Sequence, residues 1–251
     1  MFDFSAYSVA VDRELDELPI HYGLLSSTNP ESAIVLMPSA RTAQQTDRTV
    51  PYFPRWSWAP RWPNSLVITI ADPVMSRFPE LDGGWFVHPD HDVLAAIAAV
   101  IDRVTEEHGV SRSRVTFYGS SLGGYGAIGA AAELRGARAV AEVPQIDVQS
   151  WLPRFVSDLE TVVLRQPMSE FRQVHPERIS LKDRVRSAGY VPPIHLITNA
   201  GDYCIAEQRS FMQWVSAVEL PRGGHQVLEE VDHLQGHKVL SQDEVVGRLV
   251  L

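Results

Sequence analysis

The chain has 251 residues, of which 45% are hydrophobic, and its 31 acidic and 22 basic side chains give a formal net charge of −9 at pH 7. This length fits one α/β domain spanning 1–251, and the acidic balance argues against nucleic acid as a partner, because phosphate binding needs clustered Lys and Arg. A single cysteine excludes an intramolecular disulfide, and the acidic amino terminus and lack of a long apolar run predict a cytoplasmic protein with no integral membrane segment.

Short apolar runs alternate with helical patterns along most of the chain, which is typical of a mostly parallel sheet with crossover helices. YSVAV and IHYGLL, within the first 30 residues, predict strands at the edge of that sheet. SAIVLM (32–37) and SLVITIA (65–71) are continuously apolar and predict strands that are covered on both faces. DVLAAIAAVIDRV (92–104) has six apolar side chains on one helical face and predicts a helix with Asp90 or Asp92 as its N-cap.

The second half of the chain continues the alternation. VTFYG predicts a strand that leads through two serines into the Gly- and Ala-rich helix LGGYGAIGAAAEL. RAVAEV (138–143), PIHLIT (193–198) and VSAVEL (215–220) predict further strands, AEQRSFMQWV (206–215) predicts a helix, and the apolar spacing of VLEEVDHLQGHKVL predicts a last helix. The charged residues from about 147 to 190 interrupt this order, and they predict a small cap-like insertion over the carboxyl edge of the sheet.

The pair of serines lies in the motif Gly119-Ser120-Ser121-Leu122-Gly123, which fits G-x-S-x-G. In this motif the central serine occupies a tight turn between a strand and a helix, so Ser121 is the candidate nucleophile. The amide of Leu122, at the start of the helix, is a candidate donor to an oxyanion. We expect Ser120 to be a packing or hydrogen-bonding neighbour that points the other way. A chance match to so short a motif is the alternative, but the flanking strand and helix favour a functional serine.

A serine nucleophile needs a histidine base and an acid that orients it. Asp202 follows the predicted strand PIHLIT and is the candidate acid, with Asp147 in reserve; an ordinary loop aspartate is the alternative. The tail offers His225, His233 and His237. Since the predicted strand VSAVEL ends shortly before it, His225 is the first candidate for the base and His237 the second. A solvent-exposed histidine is the alternative for each.

Other residues border this predicted site. The loop after SAIVLM offers the amide of Ala40 or Ser39 as a second oxyanion donor, and Arg41 as either a substrate anchor or a surface arginine. In the Pro-rich loop 51–63, Trp56 and Trp58 could form an aromatic wall for the substrate or could hold the loop in place.

The chain offers little for a cofactor or a metal. HPDHD (88–92) has metal-like spacing, but we interpret it as a helix start. No phosphate-binding glycine motif follows the first strand. We therefore expect neither a cofactor nor a metal, and we expect Cys204 to be a small buried residue and not a second nucleophile.

The chain resembles the α/β-hydrolase superfamily over roughly residues 30 to 240. The residues that carry this resemblance are GSSLGG (119–124), Asp202 and His225, each of which follows a predicted strand. The resemblance implies an α/β-hydrolase fold, with a mostly parallel central sheet, helices on both faces and a variable cap at 147–190. Shorter matches, among them RWSW (55–58) and VPQID (143–147), resemble a bacterial branch. It includes a hydrolase-like component of the accessory secretion system and hydrolase-like proteins associated with surface polysaccharide acylation.

These observations predict a serine hydrolase that cleaves an ester or thioester through an acyl-enzyme. Its substrate would be a small-molecule or glycan-linked acyl group. One alternative is an O-acyltransferase that passes the acyl group to a sugar or another hydroxyl. A second is a hydrolase-fold protein that binds without catalysis. The superfamily also contains lipases, thioesterases, peptidases and some lyases, so the fold alone does not select the substrate.

Overall fold

The computed structural model describes residues 8–15, 17–42 and 44–249. Within these ranges the central sheet has eight strands in the order β1-β2-β4-β3-β5-β6-β7-β8. β2 is antiparallel to both β1 and β4, and all the other neighbouring pairs are parallel. The strands are β1 (Ser8–Asp12), β2 (Ile20–Ser26), β3 (Ser32–Leu36), β4 (Ser65–Ile70), β5 (Val115–Ser120), β6 (Arg138–Glu142), β7 (Ile194–Asn199) and β8 (Gln226–Val231).

Helices connect these strands and cover the sheet. Those in the described ranges are α1 (Pro73–Arg77), α2 (Val93–Glu107), α3 (Leu122–Glu133), α4 (Pro153–Asp158), α5 (Met168–Val174), α6 (Leu181–Ala188), α7 (Ile205–Ala217) and α8 (Gln242–Leu249). A π-helical turn, Leu159–Leu164, continues α4, and a 3₁₀ turn, Trp56–Arg61, lies in the Pro-rich loop. No helix in these ranges combines the length and the apolar content needed to cross a membrane.

Side chains of the central strands alternate between two hydrophobic clusters, one on each face of the sheet. Phe117 of β5 lies in the larger cluster, which also contains the apolar face of α2 and most of α3. Tyr118, the next residue, lies in the smaller cluster with Val245 of α8. Burial on both faces explains why these strands are continuously apolar in sequence.

Most of the predicted elements are confirmed. The predicted strands at 32–37, 65–71, 138–143 and 193–198 correspond to β3, β4, β6 and β7. The side chain of Asp92 accepts a hydrogen bond from the amide of Ala95, so its role as the N-cap of α2 is also confirmed.

Two predictions near the carboxyl terminus are wrong. Residues 215–220 do not form a strand, because α7 continues to Ala217, and Phe211, Met212 and Val215 form its buried face. VLEEV, predicted as helix, is the edge strand β8. β8 pairs with β7 alone and is open to solvent at the sheet edge. Its positions are therefore half-buried or exposed and not continuously buried.

The 147–190 segment leaves the sheet after β6 and returns to it before β7. Its start lies beside the stretch that leads into α6, so that these are paired ends of a loop: the amide of Val148 donates to the carbonyl of Ile179, and the amide of Leu181 donates to that of Ile146, both at 2.9 Å. α6 packs against α3 and so covers the sheet as a crossover helix. The part between the paired ends, which contains α4 and α5, is the part that can act as the predicted cap.

Candidate active site

Ser121 occupies a sharp turn between β5 and α3. Its backbone has φ 55° and ψ −121°, a strained conformation for a residue with a side chain. The flanking glycines allow the turn to form: a Cβ on Gly119 would lie 2.3 Å from the backbone of Gly123, and one on Gly123 would lie 2.4 Å from the carbonyl oxygen of Pro38. The G-x-S-x-G spacing is therefore required by backbone contacts at this turn.

The two adjacent serines have different environments. Ser120, the last residue of β5, is 3% exposed, and its hydroxyl accepts a hydrogen bond from the guanidinium of Arg55. The prediction that Ser120 is a hydrogen-bonding neighbour is thus confirmed. Ser121 is partly exposed, and its hydroxyl contacts the amide of Gln145: Oγ lies 3.1 Å from Nε2 and 3.2 Å from Oε1.

Asp202 and His237 form a hydrogen-bonded pair at the same edge of the sheet. Asp202 follows β7 and is almost fully buried, and its Oδ2 lies 2.6 Å from Nδ1 of His237. Its other oxygen accepts from the amide of Cys204 at 2.8 Å and from Nε2 of Gln208 at 3.1 Å. These bonds fix the carboxyl group. The Nε2 atom of His237 is buried and has no hydrogen-bond partner among the described residues.

The structure places His225 at the opposite edge of the sheet, which corrects its assignment as the base. It precedes β8, and its backbone carbonyl accepts from the amide of Ile194, the first residue of β7. Because β7 and β8 are parallel, this is the amino edge, whereas Ser121 and Asp202 lie at the carboxyl edge. The error follows from the mispredicted strand at 215–220. The second candidate, His237, lies after β8 and is the histidine bonded to Asp202.

A chain of contacts connects His237 with Ser121. The ring of Trp151 lies 5.0 Å from that of His237 and 6.4 Å from that of Phe155, and Phe155 lies edge-on to Trp85 at 5.1 Å. The Nε1 atom of Trp85 donates to Oε1 of Gln145 at 3.1 Å, and Gln145 contacts Ser121. Trp151 and Phe155 belong to the 147–190 segment, so this segment borders the site.

The two candidate oxyanion donors lie on neighbouring segments. Leu122 is the first residue of α3, so its amide has no acceptor within the helix. The loop after β3 approaches the turn closely at Pro38, which contacts Gly123. Ala40 follows in that loop and is partly buried, and the next amide, that of Arg41, donates to the carbonyl of Asp82.

The side chain of Arg41 is structural and not a substrate anchor. It is 2% exposed, and its guanidinium donates to the carbonyls of Pro79, Leu81 and Thr49. Neither reading of Arg41 from the sequence is therefore correct, because the arginine is buried and holds loops together.

Trp56 and Trp58, two of the three tryptophans of the Pro-rich loop, have different surroundings. Trp58 stacks on Tyr118 at 6.0 Å, on the face of β5 that also carries Ser120. Trp56 lines a surface cavity of about 380 Å³ with other residues of the Pro-rich loop and of the chain just before it, from Gln45 onward. The stacking on Tyr118 favours the reading in which Trp58 holds the loop in place.

Sequence reasoning missed Gln145, Trp85, Gln208 and also Glu142, whose carboxyl group accepts from the amide of Leu240 and from the hydroxyl of Tyr118. Gln145 lies in VPQID, directly after β6, where only Asp147 was considered as a reserve acid. Asp147 instead pairs with Arg172 at 2.7 Å. The position of Gln145 after a parallel strand was a usable signal, whereas the roles of the other three depend on tertiary contacts.

Solved structures of other proteins share this architecture. The chain is similar to the Glycosylation Associate Protein (Gap123) complex from Streptococcus agalactiae, with a TM-score of 0.65 and 12% identity over 97% of this chain and 45% of that one. It thus spans less than half the length of that protein. It is also similar to S-formylglutathione hydrolase (FrmB) from Staphylococcus aureus, with a TM-score of 0.59 and 14% identity over 97% and 95% of the two chains.

A third similar structure is the capsule O-acetyltransferase of Neisseria meningitidis serogroup A, with a TM-score of 0.62 and 13% identity over 92% and 91% of the two chains. No protein-family model matches the sequence, and no curated protein matches it. At these identities the likeness concerns the fold, and the predicted α/β-hydrolase fold is confirmed.

Proposed function

We propose that the protein is a serine hydrolase that cleaves an ester or thioester through an acyl-enzyme. The observation that carries this proposal is the buried Asp202–His237 pair at the sheet edge where Ser121 lies in its strained turn. An acid that fixes Nδ1 of a histidine leaves Nε2 available as a base, and Nε2 of His237 has no partner among the described residues.

In this mechanism the hydroxyl of Ser121 attacks the substrate carbonyl, and its proton passes to Nε2 of His237. Asp202 stabilises the imidazolium that forms. The amides of Leu122 and Ala40 donate to the oxyanion, whose collapse releases the alcohol or thiol with the proton from His237. Water then attacks the acyl-enzyme, giving its proton to His237, and the second collapse releases the carboxylic acid and restores the serine hydroxyl.

An O-acyltransferase is the second candidate, in which a hydroxyl acceptor replaces water in the last step. The acceptor must lie beside His237, because it gives its proton to this histidine. The aromatic rings next to His237 therefore favour an acyltransferase. Trp151 packs against His237, and Tyr203, which is 72% exposed, stacks on it at 6.1 Å. The exposed ring of Tyr203 at this position suits the apolar face of a sugar. The similarity to a capsule O-acetyltransferase supports the same candidate.

Labelling with a fluorophosphonate probe tests the nucleophile and the base. We expect Ser121→Ala and His237→Ala to lose labelling, and the matched variants Ser120→Ala and His225→Ala to retain it. Labelling that survives in Ser121→Ala, or that His225→Ala abolishes while His237→Ala does not, would contradict the assignment. A wild-type protein that is folded and unlabelled would support a binding module without catalysis.

Release of acid from a p-nitrophenyl ester, measured with and without a sugar acceptor, then separates hydrolysis from transfer. The thiol of Cys204 is not expected to interfere, because burial and the nearby Asp202 raise its pKa to about 12.

A further inference from the structure

Gln145 is the buried polar side chain in direct contact with the proposed nucleophile. It is 1% exposed, and the edge of its amide faces Ser121, whose Oγ is 3.1 Å from Nε2 and 3.2 Å from Oε1. The serine hydroxyl can donate to Oε1 and accept from Nε2 at the same time. This amide has no role in the acyl-enzyme steps proposed for Ser121, His237 and Asp202.

Neighbouring residues fix the orientation of that amide. Trp85 is fully buried and donates from Nε1 to Oε1 of Gln145 at 3.1 Å, which assigns this atom as the acceptor and leaves Nε2 as the donor beside Ser121. Trp85 has φ 47°, and Val143, two residues before Gln145, has φ 39°; both values are rare for residues with side chains. Such conformations persist only where the surroundings hold them, and they often lie at functional sites.

Gln145 also closes one side of the space around Ser121. Behind it lie Trp85 and, in edge contact with that ring, Phe155, both of which belong to the main core. An acyl group on Oγ therefore meets filled volume on this side. Its oxygen atoms come within reach of Nε2, because acylation removes the serine proton and leaves Nε2 as a donor beside the new ester.

We propose that Gln145 is a specificity-determining residue: its bulk, backed by Trp85 and Phe155, restricts the acyl group on Ser121 to short chains, and its Nε2 donates to that acyl group. This inference rests on the proposed function, since it requires an acyl group on Ser121. It assigns short-chain acyl esters, of acetyl size, as the substrate class.

The test is the rate at which two p-nitrophenyl phosphonates, one with a methyl and one with an octyl group on phosphorus, modify Ser121, followed by mass spectrometry. We expect the wild type to react faster with the methyl compound. Gln145→Ala should reduce the methyl-to-octyl rate ratio at least tenfold, because it opens the filled side. Gln145→Glu keeps the size of the side chain but replaces the Nε2 donor with a carboxylate oxygen. The rates with the methyl and the octyl compound should therefore both fall about tenfold, with the methyl-to-octyl ratio unchanged.

Gln149→Ala is the matched control, because Gln149 follows Gln145 closely in the chain but contacts Arg172, away from Ser121. It should leave both rates unchanged. Circular dichroism reports whether each variant folds, and Gln145→Ser replaces the alanine variant if that one does not. An unchanged rate ratio in a folded small-residue variant would overturn the role of Gln145 alone. No modification of Ser121 in the wild type by either phosphonate would overturn the proposed function and this inference together.

Discussion

At the scale of single residues, Glu142 connects the segments that carry Ser121 and His237. Its backbone carbonyl accepts from the amide of Ser121 at 2.9 Å, and its carboxyl group accepts from the amide of Leu240 at 2.8 Å and from the hydroxyl of Tyr118 at 2.5 Å. Burial raises the pKa of Glu142, while these hydrogen bonds act in the opposite direction. One carboxyl group therefore holds the end of β6 against the segment after His237.

We expect Glu142→Gln to lower the free energy of unfolding by about 1–3 kcal/mol and to lower the turnover number. The reason is that the amide has one acceptor oxygen, whereas Tyr118 and Leu240 each donate to a separate carboxyl oxygen. Urea denaturation and ester hydrolysis measure the two effects. Glu230→Gln is the control, since Glu230 forms an ion pair with Arg209 that is exposed to solvent and contributes little to stability. Equal losses in the two variants would contradict the role of Glu142.

A single residue could be predicted from the sequence where its role follows from its position after a strand. Asp202 was found because it follows a recognisable buried strand. Glu142 is the last residue of a strand and looks in sequence like an ordinary exposed end. Its role exists only through Leu240, nearly a hundred residues away, so no local pattern could indicate it.

At the scale of elements, the turn between β5 and α3 depends on its two glycines. We expect Gly119→Ala to abolish phosphonate labelling of Ser121 and to lower the free energy of unfolding, because the added Cβ would lie 2.3 Å from backbone atoms that cannot move aside.

Gly247→Ala is the matched control for that substitution. Gly247 lies in α8, exposed, with nothing within 4 Å of an added Cβ. Alanine there should leave labelling unchanged and raise the free energy of unfolding by about 0.5–1 kcal/mol, through its higher helix propensity. Retention of full labelling in Gly119→Ala would show that the turn tolerates a side chain.

The error at the carboxyl-terminal strand has a physical cause. β3, β4 and β5 are covered on both faces, so their sequences are continuously apolar and easily recognised. β8 has one neighbouring strand, and Glu229 and Glu230 within it form ion pairs with arginines of two helices. In such a strand the few apolar residues can have the same spacing as the apolar face of a helix. The choice of His225 over His237 followed from that coincidence.

At the scale of the whole molecule, the parallel order of β5, β6, β7 and β8 brings the site together. Ser121, Gln145, Asp202 and His237 each follow one of these strands in turn, at one edge of the sheet. The sequence allowed β5, β6 and β7 to be predicted, and with them the positions of Ser121 and Asp202. The positions of Gln145 and His237, and the contacts among the loops, depend on the complete fold. Asp72, which follows β4 at the same edge, belongs to this set of loops.

Asp72 should give the stability of the molecule a recognisable pH dependence. Its side chain accepts from the amides of Val74 and Phe86 beside the strained Trp85, and burial raises its pKa from 3.8 to about 6. Between pH 4 and 6 the folded state therefore binds more protons at this group than the unfolded state, so its contribution to the free energy of unfolding is present at pH 4 and is lost as pH rises through 6.

Asp72→Asn cannot titrate, so the wild-type free energy of unfolding, minus that of the variant, should fall between pH 4 and pH 7. A shift of this size corresponds to on the order of 3 kcal/mol. Urea denaturation of both proteins at several pH values measures this difference directly, and the other carboxyl groups largely cancel in it. Asp232→Asn removes the same charge from an exposed side chain and controls for the change in net charge. A flat difference for Asp72→Asn would show that the buried carboxyl group does not titrate in this range, and an equal one for Asp232→Asn would assign the effect to net charge instead.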